Sequence, residues 1–179
     1  YSDPTRAFNN NNTRPDVMPL QPWKKLATEV LFENPWWKYQ RDSVLLPNGS
    51  EGEYHYVETP GSVMVLARTD EHELLMVRQY RHLNERESLE FPAGGVKPGQ
   101  NWDAAARAEL REEAGTEADT LRLIGSFNPF NGVTSEICRV YLATGLRAVQ
   151  AEPDPTEQFE VLAISESDLQ ALIASGELW

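Results

Sequence analysis

Short stretches rich in β-branched and aromatic residues recur along this chain, separated by clusters of Pro, Gly, Asn and Asp, and they read as strands. Three lie near the start: Trp23 to Phe32, Trp36 to Leu46 and Glu53 to Glu58, with Pro47-Asn48-Gly49 as the turn between the second and third. Ser62 to Arg68 and Glu73 to Arg81 follow, flanking the hairpin-like connection Thr69 to His72. Leu121 to Phe127 and Glu136 to Ala143 frame a loop from Asn128 to Ser135, and Gln158 to Ile164 is a further strand. The pattern predicts two helices. Asn101 caps one that begins near Trp102 and ends at Gly115, and Ser165 caps another that runs through Leu169, Leu172 and Ile173 to Gly176. Strands on both sides of one central helix, with a second helix at the end, predict an α/β sandwich.

The central helix and the loop before it hold the candidate chemistry. Phe91-Pro92-Ala93 leads into Gly94-Gly95, then Pro98 and Gly99, a run that breaks any regular period. Within the helix Glu109, Glu112 and Glu113 stand at i, i+3 and i+4, so their carboxylates share one face. Like charges that close repel each other, and a divalent cation reverses that. Carboxylate oxygens are hard ligands that suit Mg²⁺ or Mn²⁺, which in turn favour bound phosphates. The alternative is an acidic face that meets only water.

At 179 residues, with 40% apolar residues and five Trp, the chain fits one domain, or one domain with an N-terminal extension. A net charge of −12 argues against nucleic acid or an anionic membrane as partner, though not against a small phosphate ligand that meets local cations. No apolar run has the length of a membrane helix, and no signal-peptide pattern opens the sequence, so a reducing cytoplasm is the expected compartment. Cys138 stands alone, which excludes an internal disulfide framework, and its strand context predicts a small buried hydrophobe. Residues 1–22, with four prolines and the run Asn9 to Asn12, read as a tail.

The stretch from Gly94 to Thr116 resembles the Nudix box, whose pattern is Gly, five residues, Glu, seven residues, Arg-Glu-apolar-x-Glu-Glu-x-Gly-apolar. Gly94, Glu109, Leu110, Glu112, Glu113 and Gly115 match it in register, while Gln100, Ala108 and Thr116 depart from it at the first Glu, the Arg and the last apolar position. An Arg at 108 would orient the carboxylates; if it and an acidic residue at 100 were partners, losing both is the cheaper change. The resemblance extends over about residues 23–176. Trp-Lys-Lys-Leu, Val-Arg-Gln-Tyr-Arg before Leu-Glu-Phe-Pro-Ala-Gly-Gly, Thr-Ser-Glu, and Glu-Gln-Phe-Glu-Val look like the ADP-ribose pyrophosphatase branch, although Asn131-Gly132 replaces that branch's usual Pro-Gly.

The resemblance implies a Nudix-type α-β-α sandwich with a mixed sheet and N-terminal antiparallel strands. It implies a tail over 1–22, dimer-forming strands over 23–60 and a hydrolase domain over 61–179. The implied reaction is metal-dependent hydrolysis of a nucleoside diphosphate sugar, ADP-ribose first. Another sugar nucleotide such as GDP-mannose, or a Nudix-fold binding module that has lost turnover, are the alternatives. By similarity Glu109 and Glu113 hold Mg²⁺ or Mn²⁺, with Glu112 and the Ala93 carbonyl completing the set. Arg81 contacts the diphosphate or is a surface arginine at a strand end. Glu90 reaches substrate or serves structure. Trp23 and Tyr54 stack the base across a homodimer or pack within the N-terminal sheet, with Trp36 and Trp37 as rivals. Glu136 binds ribose or structures its loop. Glu157 is the expected general base, ahead of Glu152, Glu160 and Glu112, in a loop marked by Pro153 and Pro155.

Overall fold

A computed structural model describes residues 20–151 and 158–178. The tail before residue 20, and the loop with Glu152 and Glu157, lie outside the described residues. The chain divides into two compact units, Tyr1–Thr28 with Asp42–Tyr54 and Glu29–Arg41 with His55–Trp179.

The expected α/β class is observed. A three-stranded antiparallel sheet, order β1-β2-β3, comes first, formed by β1 (Lys24–Glu33), β2 (Lys38–Leu45) and β3 (Glu51–Glu58). In β2 the buried positions alternate, with Gln40, Asp42 and Val44 inward. Every residue of β1 is exposed, Leu26, Val30, Leu31 and Phe32 included.

The second sheet is mixed. It contains β4 (Ser62–Arg68), β5 (Leu74–Arg81), β6 (Arg86–Glu90), β7 (Ala93–Gly95), β8 (Thr116–Phe127), β9 (Cys138–Ala148) and β10 (Glu160–Ile164). The path runs β10-β5-β4-β9-β8, with β4 and β9 parallel and β8 antiparallel to β9. Between β4 and β5 this sheet forks. The two strands pair only at Ala67–Leu75 and Arg68–Leu74. Beyond that point β4 pairs with β7 through Ser62, Val63 and Met64, while β5 pairs with β6 from Val77 to Arg81. Pro92 sits fully buried in the fork, and its carbonyl accepts from Val65 N at 2.8 Å.

The helix α1 (Trp102–Ala114) packs on β4, β5, β7 and β8. Its buried face is Ala105, Ala106, Leu110 and Ala114, set against Val63, Val65, Ala67, Val77 and Tyr141. The small alanines let the helix lie close to the sheet. Both caps form where the sequence puts them: the Asn101 side chain accepts from Ala104 N at 3.1 Å, and Gly115 takes a left-handed φ of 54°. The helix α2 (Glu166–Ser175) is capped by Ser165, with Gly176 at its end.

The sequence reading misses β6 and β7. Arg86-Glu-Ser-Leu-Glu carries too much charge to read as a strand, and Ala-Gly-Gly has no pattern at all; both exist because the fork supplies them with edges. It also starts β8 five residues late, because Thr116 to Thr120 lacks the apolar run that marks the rest.

Removing the Asn101 cap should lower stability by about 1 kcal/mol in a urea titration, and Asn101→Asp should retain most of it. An unchanged midpoint for Asn101→Ala would show that the cap adds nothing to α1.

Candidate active site

The fork decides where the box residues meet. Because β7 pairs with β4 and not with β5, its backbone meets the C-terminal half of α1. Glu113 is buried there, and its Oε2 accepts from Ala93 N at 3.0 Å. Glu109 lies flat against Gly94: a Cβ on that glycine would fall 2.3 Å from the Glu109 Cδ. Only glycine admits that approach. Glu112 is half-buried on the same helix face.

Alternation along β5 places the next element. Val77, Gln79 and Arg81 share a face with their cross-strand partners Glu90, Ser88 and Arg86. Val77 belongs to the core beneath α1, so this face runs from the core out to Arg81. Arg81 grips Glu90 with two hydrogen bonds, Nε to Oε1 at 2.8 Å and Nη2 to Oε2. Burial opposes the charge on Glu90, but hydrogen bonds from Arg81 and Ser88, with the Arg81 charge, outweigh it and hold the carboxyl below its ordinary value. Arg81 also borders an open cleft of about 850 Å³ with Arg78, His82, Glu87 and Gln158 to Glu160.

The remaining candidates are placed separately. The Glu136 Oε1 accepts from Ser62 Oγ, so this carboxylate ties its loop to the first residue of β4. Ser62 carries no signal of this role along the chain, since the pair is separated by 74 positions. Trp23 and Tyr54 meet edge to face, 5.8 Å apart at 79°. A base held between two rings needs two parallel faces, which this pair does not present within one chain. Trp36 and Trp37 line a groove of about 540 Å³ with the Val96 to Gln100 turn and Trp102. Asn34 Oδ1 pins them by accepting from both backbone amides at 2.9 Å. Glu160 is taken by Arg78 in an ion pair. Cys138 is buried as expected, and burial pushes its thiol up.

Two of the three departures from the box, Gln100 and Thr116, have local explanations. Gln100 closes a turn, its Oε1 accepting from Lys97 N and its own N donating to Lys97 O, both at 2.9 Å. Thr116 is buried where an apolar residue belongs, and its hydroxyl is satisfied by the Ala114 carbonyl at 2.9 Å. Ala108 lines a groove with Arg107, Arg111, Glu117 and Arg147, distinct from the groove beside Gln100.

The donor set fits a hard divalent cation. Glu109, Glu112, Glu113 and the Ala93 carbonyl supply only oxygen, and the Gly94 cradle holds one of these carboxylates against the β7 backbone. Among the described residues no three acidic, imidazole or thiol side chains already converge at metal-binding distance.

The NUDIX domain family matches residues 58–177, and the nucleoside diphosphate sugar hydrolase N-terminal domain family matches residues 23–57. The chain is 35% identical over 158 residues to a Bacillus subtilis (strain 168) protein named ADP-ribose pyrophosphatase, covering 87% of this chain and 85% of the relative. It is 38% identical over 123 residues to a Bacillus methanolicus protein named methanol dehydrogenase activator, covering 69% and 66%. A solved structure of an ADP compounds hydrolase matches with a TM-score of 0.75 over 88% of this chain and 86% of its own, at 22% identity, a likeness of fold.

Gly94→Ala should cost about 1–3 kcal/mol of stability, because its Cβ and the Glu109 carboxylate claim one space. Adding Glu109→Ala should recover most of that loss in a double-mutant cycle. Additive losses would mean that Glu109 does not rest on Gly94 in solution.

Proposed function

Because this chain belongs to the Nudix family and is a Nudix pyrophosphatase, we propose that it hydrolyses the diphosphate of a nucleoside diphosphate sugar, with ADP-ribose yielding AMP and ribose 5-phosphate. The observation that carries this reading is the docking of Glu109 and Glu113 of α1 on the β7 backbone, on a sheet whose β5 and β6 present the Arg81–Glu90 pair along the face that starts at core residue Val77. A helix of carboxylates and an arginine fork are what a diphosphate with a bound divalent cation requires.

In this reading Arg81 binds diphosphate oxygens bidentately, and Glu90 presets the plane and direction of its guanidinium. Glu109, Glu112, Glu113 and the Ala93 carbonyl would hold Mg²⁺ or Mn²⁺, which offsets phosphate charge and acidifies a water. Glu157 takes the proton of the attacking water, and the bridging phosphorus–oxygen bond breaks. Glu136, fixed by Ser62, orders the loop beside the sugar. Trp23 and Tyr54 hold the base with rings contributed by two subunits, since the pair within one chain offers no parallel faces. The exposed apolar side chains Leu26, Val30, Leu31 and Phe32 on β1 support a homodimer. No helix among the described residues is long and apolar enough to cross a membrane. The single buried thiol is compatible with a reducing cytoplasm.

Gln100 and Ala108 in place of charged box residues favour a second reading, a binding module with lost turnover. Phosphate release after coupled phosphatase treatment, across ADP-ribose, GDP-mannose and other diphosphate sugars with Mg²⁺ or Mn²⁺, separates the two. ADP-ribose should be the fastest substrate; a GDP-mannose preference overturns the sugar, and no release from any member overturns the enzyme reading. Glu157→Gln should lower kcat by roughly 10²–10⁴ with little change in KM. Wild-type turnover in that variant would move the base to Glu152, Glu160 or Glu112. Light scattering at micromolar concentration should give a dimer, and truncation before His55 should abolish it. A monomer for the full chain would remove the shared base site.

A further inference from the structure

The first turn of α1 is gripped by side chains that none of the roles above uses. The Tyr141 hydroxyl, on a residue only 1% exposed in β9, donates to Asp103 Oδ1 at 2.9 Å. Two residues earlier on that strand, the Arg139 guanidinium carbon stands 4.3 Å from the centre of the Trp102 ring. The edge of that ring fills the space above Gly61, where a Cβ would fall 2.4 Å from it. Gly61 has a φ of +103°, and its carbonyl accepts from Val96 N at 2.9 Å, which ties the end of β7 to the same point.

We propose that Trp102 and Asp103, held by Arg139 and Tyr141, are positioning residues that fix the rotation of α1 about its axis and so aim Glu109, Glu112 and Glu113 at the Ala93–Gly95 backbone. This rests on the reading of those carboxylates as the metal-holding set.

Beyond the first turn, α1 is held against rotation by the Arg107 Nη1 bond to the Ala118 carbonyl at 2.8 Å and by Glu113 on Ala93 N, while its apolar face interlocks little. Ala105, Ala106 and Ala114 are small, and only Leu110 projects deeply. Alanine faces let a helix approach a sheet closely but interlock weakly with it. The box position that would brace the carboxylates laterally is Ala108, which has no group to do so. At a side-chain radius of about 6 Å, a twist of about 10° moves a carboxylate by about 1 Å. A misplacement of that size costs on the order of 10² in rate. Directional contacts at the first turn therefore act on groups two and three turns away, because the helix between transmits the twist.

Two features suit these contacts to a locating role. Arg139 and Tyr141 are alternate residues of one strand, so they face α1 together from an interior strand of the sheet, between β4 and β8. Burial raises the pKa of Tyr141, and its bond to Asp103 adds to that, so the hydroxyl stays a proton donor at all ordinary pH. Asp103 has a second reason to favour the first turn, the positive end of the helix dipole. Tyr141→Phe leaves that contribution in place and deletes the hydroxyl's bonds to Asp103 and Arg139, and exposed Asp103 then turns to water.

Tyr141→Phe, Arg139→Met and Arg139→Lys should be compared with wild type by Mn²⁺ calorimetry, by kcat and KM for ADP-ribose, and by thermal midpoint. Tyr141→Phe and Arg139→Met should each weaken Mn²⁺ binding and lower kcat by about tenfold, with KM within about twofold, and Arg139→Lys should recover most of both. Variants with lowered midpoints but wild-type Mn²⁺ affinity and kcat would reduce the clamp to packing and overturn the proposal. If the wild type binds Mn²⁺ yet hydrolyses no diphosphate sugar, the functional reading fails alone, and the Mn²⁺ comparison still decides the positioning role. A wild type that binds no Mn²⁺ overturns both.

Discussion

The separation of β4 from β5 is the constraint on which the rest of the hydrolase unit depends. Had these strands paired along their whole length, the segment from Arg86 to Gly95 would have no edge to join. By parting after Ala67 and Leu75 they expose two edges, one taken by β6 and one by β7. The chain crosses from one to the other through Phe91 and buried Pro92. That crossing sets Glu90 on one branch and Ala93 on the other, only three residues apart. Sheet topology thus sets the Arg81–Glu90 pair on one branch of the fork and the backbone that receives the α1 carboxylates on the other.

The core chemistry of α1 follows from the same constraint. A helix that must bring Glu113 within hydrogen-bond reach of Ala93 N, and Glu109 onto Gly94, has to lie close to β4 and β7. Alanine at 105, 106 and 114 permits that distance, and glycine at 94 admits the carboxylate. The buried charge of Glu113 is partly offset by the amide it accepts from, as a buried carboxylate requires. Small residues that allow close approach give up rotational interlock, and the aromatic and phenolic contacts at Trp102 and Asp103 supply direction where the alanines do not.

Much of this was legible in the sequence, for identifiable reasons. The caps Asn101 and Ser165 and the terminal glycines Gly115 and Gly176 are local signals, and the helix ends fall on them. The carboxylate face of α1 is a matter of helical spacing. The strands β1 to β5 carry enough apolar residues to be read, and their bounds differ by a residue or two, as frayed ends do. What was not legible is long-range. Nothing in Arg-Glu-Ser-Leu-Glu marks a strand, because its partner is a sheet fork defined by residues elsewhere. The Ser62–Glu136 bond and the Tyr141–Asp103 bond join positions far apart, and single residues give no sign of either. The edge-to-face arrangement of Trp23 and Tyr54 likewise depends on how β1 and β3 each pair with β2, which composition does not specify.

The Arg81–Glu90 pair adds a last consequence. A free arginine on a strand end samples many rotamers and loses that freedom on meeting a ligand. Gripped by Glu90 at two nitrogens, Arg81 has already lost it. If a diphosphate binds here as proposed, its oxygens meet a guanidinium whose plane is already set by Glu90. The exchange of one oxyanion for another, or the sharing of the fork between both, changes little in the local charge balance. The cost falls on Glu90, whose carboxyl is held below its ordinary value by the very contacts a phosphate would compete for. Loss of Arg81 would leave Glu90 with burial and no offsetting cation, raising its proton affinity. A substitution at Arg81 therefore alters two groups at once, and Glu90 is the partner through which an effect on folding stability would appear.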